Sequence, residues 1–478
     1  MVRVFGIQSS RRQAAIFLAD LTVLAVVILL SVFLRTGADS YLKYLNEHMV
    51  HFLVLVFIFI ITFQIADLYD IKRNFRHASQ QLYLYAVCFI SMMISVSMYY
   101  SGLTSVGRSI LFLIGVLVPL SIGLVRSLYE SIGSVEQWKR KVLIVGAGGA
   151  GKRLHDTINN FENCDLCVIG FVDDDPEKQG TLISGKPVMG GSQDLVELAL
   201  KNKVHMIVLG VISNKSNILV KNLIRCYYMH IAVLDMPTVY ESITGKLPLK
   251  YITEEWLLNN AMLTHRLRYK NLKRSLDILF SLILLLLSTP LTLLAVILIK
   301  FESKGEVLFR QRRVGMDFKE FTIYKFRTMV QNAEKDTGAV WASENDMRIT
   351  KAGKFLRRFR IDEIPQLINV IGGQMSFVGP RPERKVFIDD FEKEITAYGY
   401  RLIVKPGITG WAQVKYKYTN TKEQTIEKLK YDLYYIKNMS LLLDILIVLK
   451  TVKTVFTFGS EALHEDSREA ESGDKAVV

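Results

Sequence analysis

The sequence predicts a membrane protein in three parts: an α-helical transmembrane bundle, an α/β middle domain and an α+β C-terminal domain. Three observations predict it. Four apolar segments crowd the first 130 positions, each near the roughly 20 residues a helix needs to cross a bilayer. A strand-like run then ends in a glycine-rich turn. Beyond residue 300 the chain is rich in Lys and Arg, unlike the bundle. Length agrees, since 478 residues suffice for about three domains. Half the residues are hydrophobic and mean hydropathy is +0.23, high for a soluble protein. A net charge of +14 fits anionic headgroups, phosphorylated substrates or nucleic acid. The long apolar runs favour the first two, and no aromatic-interleaved RNA motif or basic recognition helix supports the third.

The bundle occupies residues 1–130, with spans expected at Ala14–Leu34, Val50–Tyr69, Leu82–Tyr100 and Ile110–Leu128. Arg3, Arg11 and Arg12 precede the first span. Lys72, Arg73, Arg76 and His77 lie between the second and third, and Arg126, Lys139, Arg140 and Lys141 close and follow the fourth. The other two connections are poorer in cations, so both ends are expected in the cytoplasm. The first span lacks a following small-residue cleavage site and is expected to stay uncleaved. Asp20 and Asp67 lie near span ends. No second buried charge is evident to pair with either, so a structural role is expected.

Residues 138–260 form the middle domain. Lys141–Val145 is a buried-strand pattern, Gly146-Ala-Gly-Gly-Ala-Gly151 follows, and a helix begins at Lys152. This is GxGxxG in its Rossmann-like setting, with strand before and helix after. Val168–Val172 ends in Asp173-Asp174-Asp175, about where an acid would meet a ribose. Further strands are expected at His205–Leu209 and His230–Leu234. The loop suits nucleotide binding or simply close helix–strand packing; no Tyr-x-x-x-Lys hydride-transfer apparatus follows. Cys164 and Cys167 have CxxC spacing but no second pair, so they read as small buried residues. Cys88 and Cys226 complete the cysteines, few enough for a reducing cytosolic face.

The run Leu276–Ile299 is long enough to cross. Crossing would put the Lys- and Arg-rich remainder outside, against the charge rule. Ser288-Thr289-Pro290 sits near its middle, where Pro290 removes a backbone hydrogen bond and Ser288 can back-bond a freed carbonyl. A helix bent there can enter and leave by one leaflet; a Pro-kinked span is the alternative. Lys270, Lys273, Arg274 and Lys300 flank both ends, as one anionic surface would require.

In the C-terminal domain, residues 270–458, two strands are expected around a turn at Gly315-Met316-Asp317. On the second, Lys325 and Arg327 are two apart and share a face, a pairing that suits a diphosphate. Asp362 and Glu363 stand just before Pro365, so Ile364–Ile371 reads as a short helix with the acids at its mouth. Arg357, Arg358 and Arg360 lie just upstream, and nearby positive charge keeps a carboxylate ionised and able to attack phosphorus. A solvated helix cap is the plain alternative. Prolines on both sides of Arg381 stiffen its backbone and could aim it at phosphate. Met439–Phe456 is apolar, but Asp444, Lys450 and Lys453 interrupt it, so an interfacial or core helix is expected. Residues 459–478 are polar and are expected to be disordered.

Lys325-Phe-Arg-Thr-Met329, Asp362-Glu363 with Pro365-Gln-Leu, Phe377-Val-Gly-Pro-Arg-Pro-Glu383 and Lys405-Pro-Gly-Ile-Thr-Gly410 occur in that order. The set resembles the bacterial sugar transferase family, the polyisoprenyl-phosphate hexose-1-phosphate transferases. The resemblance is dense over residues 270–460, and the whole layout is similar to the family's long form. It implies a monotopic phosphoglycosyl transferase domain with a re-entrant helix broken at Ser288 and Pro290, on the cytoplasmic face of a bacterial inner membrane. It implies a UDP-sugar and undecaprenyl phosphate as substrates, UMP as product, and a phosphosugar carried on Asp362. Mg²⁺ is expected at Asp362 and Glu363 beside the diphosphate, with Glu363 either a metal ligand or a base; phosphate contacts are expected from Lys325, Arg327, Arg357, Arg381 and Glu383, and Asp432 resembles a family carboxylate of unassigned role. A homodimer is a further expectation. Rival readings are a nucleotide-binding membrane regulator without transferase activity, and a glycosyltransferase that releases UDP.

Overall fold

The computed structural model describes residues 2–4, 7–9, 11–69, 75, 77–133, 139–161, 164–210, 216–252, 266–330, 333, 346–395, 397–416 and 421–456. Expectations for the tail 459–478, for Lys72, Arg73 and Arg76, and for the end of the middle domain near residue 260 fall outside them. Two compact units make up the chain, one ending at Gly245 and one running from Lys246.

The first unit begins with α1 (Arg11–Ile65), α2 (Ala78–Tyr100) and α3 (Arg108–Gly133). Among the described residues these three are long and apolar enough to cross a membrane. A straight helix as long as α1 would run about 80 Å. It is not straight: Gly37 has φ 69° and ψ 175°, a backbone that glycine enters without a Cβ penalty. Leu24 and Val27 before the break and Phe52 and Phe59 after it pack into one core, so α1 doubles back on itself. Two of the expected spans therefore lie within one helical run. Inside the bundle, Ser31, Ser91 and Ser95 turn their hydroxyls onto carbonyls one turn back.

The bundle also corrects the reading of Asp20. It is fully buried and paired with Arg126, itself only 2% exposed. Arg126 Nε donates to Asp20 Oδ1 at 3.3 Å and Nη1 to the Leu68 carbonyl at 2.9 Å. The rings of Phe63, Tyr69 and Phe75 surround the guanidinium. Arg126 is not one of the cations beyond the fourth span: α3 continues seven residues past it to Gly133, which leaves it two turns inside.

After the bundle, this unit holds a parallel four-stranded sheet of β1 (Arg140–Val145), β2 (Leu166–Val172), β3 (Met206–Leu209) and β4 (Ala232–Asp235), in the order β2-β1-β3-β4. Helices α4 (Gly149–Asn160), α5 (Leu195–Lys201), α6 (Asn217–Tyr228) and α7 (Met236–Thr244) connect and follow the strands. The glycine turn divides its work. Gly146 has φ 102°. A Cβ on Gly151 would lie 2.1 Å from the Gly146 carbonyl oxygen, whereas one on Gly148 would meet nothing within 4 Å. Asp173 does not stand free for a ribose: its carboxylate accepts the Ala147 N–H at 2.7 Å and closes the loop. Cys164 is buried and unbridged, and among the described residues no group of three or more His, Cys, Asp or Glu is placed to hold a metal.

The second unit opens with α8 (Arg266–Leu287) and α9 (Thr289–Glu302), bent by 60° at Ser288. Pro290 falls in the first turn of α9, and the Ser288 and Thr289 hydroxyls both donate to the Leu285 carbonyl. Both legs are fastened to the rest of the unit. On α8, Arg274 donates to the carbonyls of Val370 and Ile371, and buried Asp277 accepts from Ser376 Oγ at 2.8 Å and the Phe377 N–H at 3.2 Å. On α9, Ala295 and Ile299 pack with Phe326, Leu356 and Ile361. Lys273 is 2.6 Å from Asp444. Two of the cations expected to meet an anionic surface, Lys273 and Arg274, thus work inside the fold.

The hairpin β5 (Leu308–Val314) and β6 (Glu320–Phe326) is antiparallel around Gly315. After α10 (Lys351–Arg358), a 3₁₀ turn at Ile361–Glu363 leads into α11 (Gln366–Ile371). A parallel pair, β7 (Ser376–Val378) and β8 (Gly407–Thr409), flanks α12 (Lys385–Glu394) and a 3₁₀ run at Tyr398–Ile403. Three helices close the unit: α13 (Trp411–Lys415), α14 (Lys422–Asn438) and α15 (Leu441–Phe456). α15 is a core helix, since Leu443 and Ile447 join Val378, Trp411 and Tyr435 in the largest apolar cluster of this unit.

Candidate active site

The acid pair sits in the 3₁₀ turn rather than in the first turn of α11. Arg360 precedes it in the left-handed region, φ 53° and ψ 23°. That kink ends α10 and redirects the chain so that Asp362 and Glu363 both point inward, 8% and 6% exposed. The turn is registered against β6 by Asn369 of α11. Its Nδ2 donates to the Thr322 carbonyl at 2.7 Å and its Oδ1 accepts the Tyr324 N–H at 3.2 Å. Lys325, next along β6, is thereby brought over the acids.

The two carboxylates have opposite surroundings. Glu363 is saturated: Oε1 lies 2.7 Å from Arg381 and 3.4 Å from Lys325, and Oε2 lies 3.4 Å from Arg360. Burial alone would push its pKa up, but Arg381, Lys325 and Arg360 together outweigh that and hold it well below the ordinary glutamate range. Asp362 accepts no hydrogen bond from the described residues. Burial and the neighbouring Glu363 charge push it up to about 6, against the pull of Lys325, Arg357 and Arg381. Burial likewise draws the Lys325 ammonium below the ordinary lysine range, partly offset by Glu363. The pair is one committed anion beside one uncommitted carboxylate that is ionised near neutral pH.

Of the expected phosphate contacts, Lys325, Arg357 and Arg381 converge on the acids, with Arg357 braced by Thr328 Oγ1 at 2.8 Å. Arg327 does not. The strand ends at Phe326, and the guanidinium turns to the end of α9, donating to Ser303 Oγ at 2.8 Å and the carbonyls of Ser303 and Lys304 at 2.9 and 3.1 Å. Glu383 is engaged elsewhere, 3.3 Å from both Arg313 and Lys428. Asp432 is buried against Arg401 at 3.0 Å. Arg313, Arg401, Lys428 and Asn369 are not evident as site residues in the sequence. Each acts across a long chain separation, and only the acidic partners of the three cations hint at them.

Mg²⁺ prefers hard oxygen ligands and is commonly held by one or two carboxylates together with substrate phosphates. Asp362 keeps its oxygens available for that, but both Glu363 oxygens are on cations. The donor set fits a metal shared between Asp362 and a bound diphosphate, not one chelated by both acids.

Comparisons with known proteins agree with this layout. The bacterial sugar transferase family matches residues 268–458, and a CoA-binding domain family matches residues 64–224. The chain is 46% identical over 239 residues to a UDP-N-acetylgalactosamine-undecaprenyl-phosphate N-acetylgalactosaminephosphotransferase of Aeromonas hydrophila, covering 50% of this chain and 56% of that protein. It is 35% identical over 325 residues to the UDP-glucose:undecaprenyl-phosphate glucose-1-phosphate transferase of Escherichia coli K12, covering 66% and 67%. A putative undecaprenyl-phosphate N-acetylgalactosaminyl 1-phosphate transferase of Bacillus subtilis is 49% identical over 135 residues, 28% of this chain and 75% of that one. The match thus spans little more than half the length of the Aeromonas protein and two thirds of the Escherichia coli one.

Proposed function

The chain belongs to the bacterial sugar transferase family, and from that premise we propose that it moves a hexose-1-phosphate from a UDP-sugar to undecaprenyl phosphate and releases UMP, the opening step of a surface-polysaccharide assembly. The observation that carries the reading is the pairing of an uncommitted Asp362 with a cation-saturated Glu363 under Lys325, Arg357 and Arg381. An Asp362 oxygen attacks the sugar-linked phosphorus. The phosphorus–oxygen bond to the uridine-bearing phosphate breaks, UMP leaves, and the phosphosugar stays on Asp362 as an acyl phosphate. A phosphate oxygen of the lipid carrier then attacks the same phosphorus, and the Asp362 carboxylate leaves. Lys325, Arg357 and Arg381 stabilise charge on the transferring group, and Glu363 holds Lys325 and Arg381 in place for it. Mg²⁺, held by Asp362 and the donor diphosphate, would neutralise charge on the departing UMP.

For the membrane, we propose four spans, two of them from α1 folded at Gly37, with both ends cytoplasmic. The bent α8–α9 pair is read as re-entrant. The eleven residues from Asp277 to Leu287 rise about 16 Å, roughly one leaflet of a 30 Å hydrocarbon core. Such a helix holds the acids at headgroup level, where a carrier phosphate lies.

The test is direct. With UDP-hexose and Mg²⁺ but no lipid acceptor, the protein should release UMP and acquire a phosphosugar adduct, and Asp362→Asn should do neither. Release of UDP would replace this reading with direct glycosyl transfer. Nucleotide binding with no release would favour the regulator. A panel of UDP-sugars scored by UMP identifies the hexose.

A further inference from the structure

Pro380-Arg381-Pro382-Glu383 raises a problem of backbone anchoring. Its two prolines have no N–H to donate, so this stretch must be fixed largely through its carbonyls. All four are taken. The Pro380 carbonyl accepts the Gly407 N–H at 2.9 Å, and the Glu383 carbonyl accepts the Val314 N–H at 3.0 Å. The two between them accept from buried or half-buried guanidinium groups: Arg381 from Arg401 Nη2 at 2.8 Å, and Pro382 from Arg313 Nη1 at 3.2 Å.

Arg401 is 4% exposed, and a guanidinium that deep needs a fixed counter-charge. Asp432 Oδ2 supplies it at 3.0 Å, and Arg401 Nη1 donates to the Tyr398 hydroxyl at 2.6 Å. Lys428 and Glu383 are the other charges facing this pair, and they are committed to each other at 3.3 Å. With Asp432 and Tyr398 in place, Arg401 has one orientation, and in it one nitrogen reaches the Arg381 carbonyl. The Arg381 side chain leaves the same residue toward Glu363, 2.7 Å away.

We propose that Asp432 is a positioning residue for the transfer: through Arg401 it fixes the main chain at Arg381 and so sets how the Arg381 guanidinium meets Glu363 and the phosphate. This rests on the reading of Asp362 as the nucleophile. Asp432 touches neither acid and acts only through Arg381. That separates it from a carboxylate whose whole effect is to keep the core folded.

A double-mutant cycle tests it, read as acceptor-free UMP release. Asp432→Asn keeps the shape and removes the charge, and should lower the rate by about 10- to 100-fold, the scale of a small misplacement of a catalytic group. In an Arg381→Ala background the same change should cost no more than about twofold, because the element it positions is gone. Asp432→Glu should recover part of the rate. Should Asp432→Asn fail to fold, Tyr398→Phe removes one bond to Arg401 and should show a smaller loss that also disappears on Arg381→Ala. Equal losses in both backgrounds, or full activity in Asp432→Asn, would overturn the proposal. A wild-type protein that releases no UMP would instead remove the transfer reading beneath it.

Discussion

Two of the places where the chain buries an acid against arginine do so differently. In the bundle, Asp20 and Arg126 form a one-to-one pair: both carboxylate oxygens meet the guanidinium, whose remaining nitrogen holds a carbonyl. In the second unit, Glu363 gathers three cations while Asp362 beside it takes no hydrogen bond among the described residues. A closed pair has nothing left to offer a ligand and serves structure. An open carboxylate next to a closed one has an unspent valence in a positive setting, which is what attack on a phosphorus centre requires.

Mutations should separate the two cases. Asp362→Asn is expected to cut acceptor-free UMP release by about 10⁴-fold or more, the scale of losing a nucleophile, with the fold intact by melting. Asp20→Ala should do the reverse. Stranding Arg126 is expected to cost ~3–5 kcal/mol in detergent unfolding, and the double change Asp20→Leu with Arg126→Met should recover most of it. UMP release by the folded fraction should be unchanged.

Acidity sharpens the contrast. Burial, then Glu363, raises Asp362 to about 6, so UMP release should fall as pH drops through about 6. A raised carboxyl pKa means the folded state holds its proton more tightly than the unfolded chain does. Its stabilisation is present at about pH 4 and lost as pH rises past 6. Asp362→Asn should therefore gain stability relative to wild type between those limits, read from melting against pH. The smallest effect belongs to Arg360→Gln. Arg360 is one of three cations on Glu363 and is 33% exposed, so a loss of only about three- to tenfold in rate is expected.

The sequence reading succeeded where local pattern decides structure. The apolar runs, the parallel strands around the glycine turn, the hairpin at Gly315 and the break at Ser288 are each set within a few residues. It failed where a helix or strand runs a few residues longer or shorter than its pattern. Arg126 reads as a flanking cation because a charge marks the edge of an apolar run, yet α3 persists to Gly133 and buries it. Arg327 looked like the partner of Lys325 because alternation places them together, yet the strand stops between them. The contacts Arg401 makes to Arg381 and Asp432 left no local trace, because 20 and 31 residues separate them and only the fold joins them.

The bent helix of the second unit has a mechanical consequence. One foot is pinned by Arg274 and Asp277, and the other by Ala295 and Ile299, whose neighbours include Ile361. The elbow at Ser288 lies between them. Inserting a single residue between Asp277 and Ser288 would swivel the far leg by about 100° about its axis and pull Ala295 and Ile299 off their seats. Ile361 adjoins Asp362, so the bracket acts as a spirit level: whatever tilts the elbow tilts the acid.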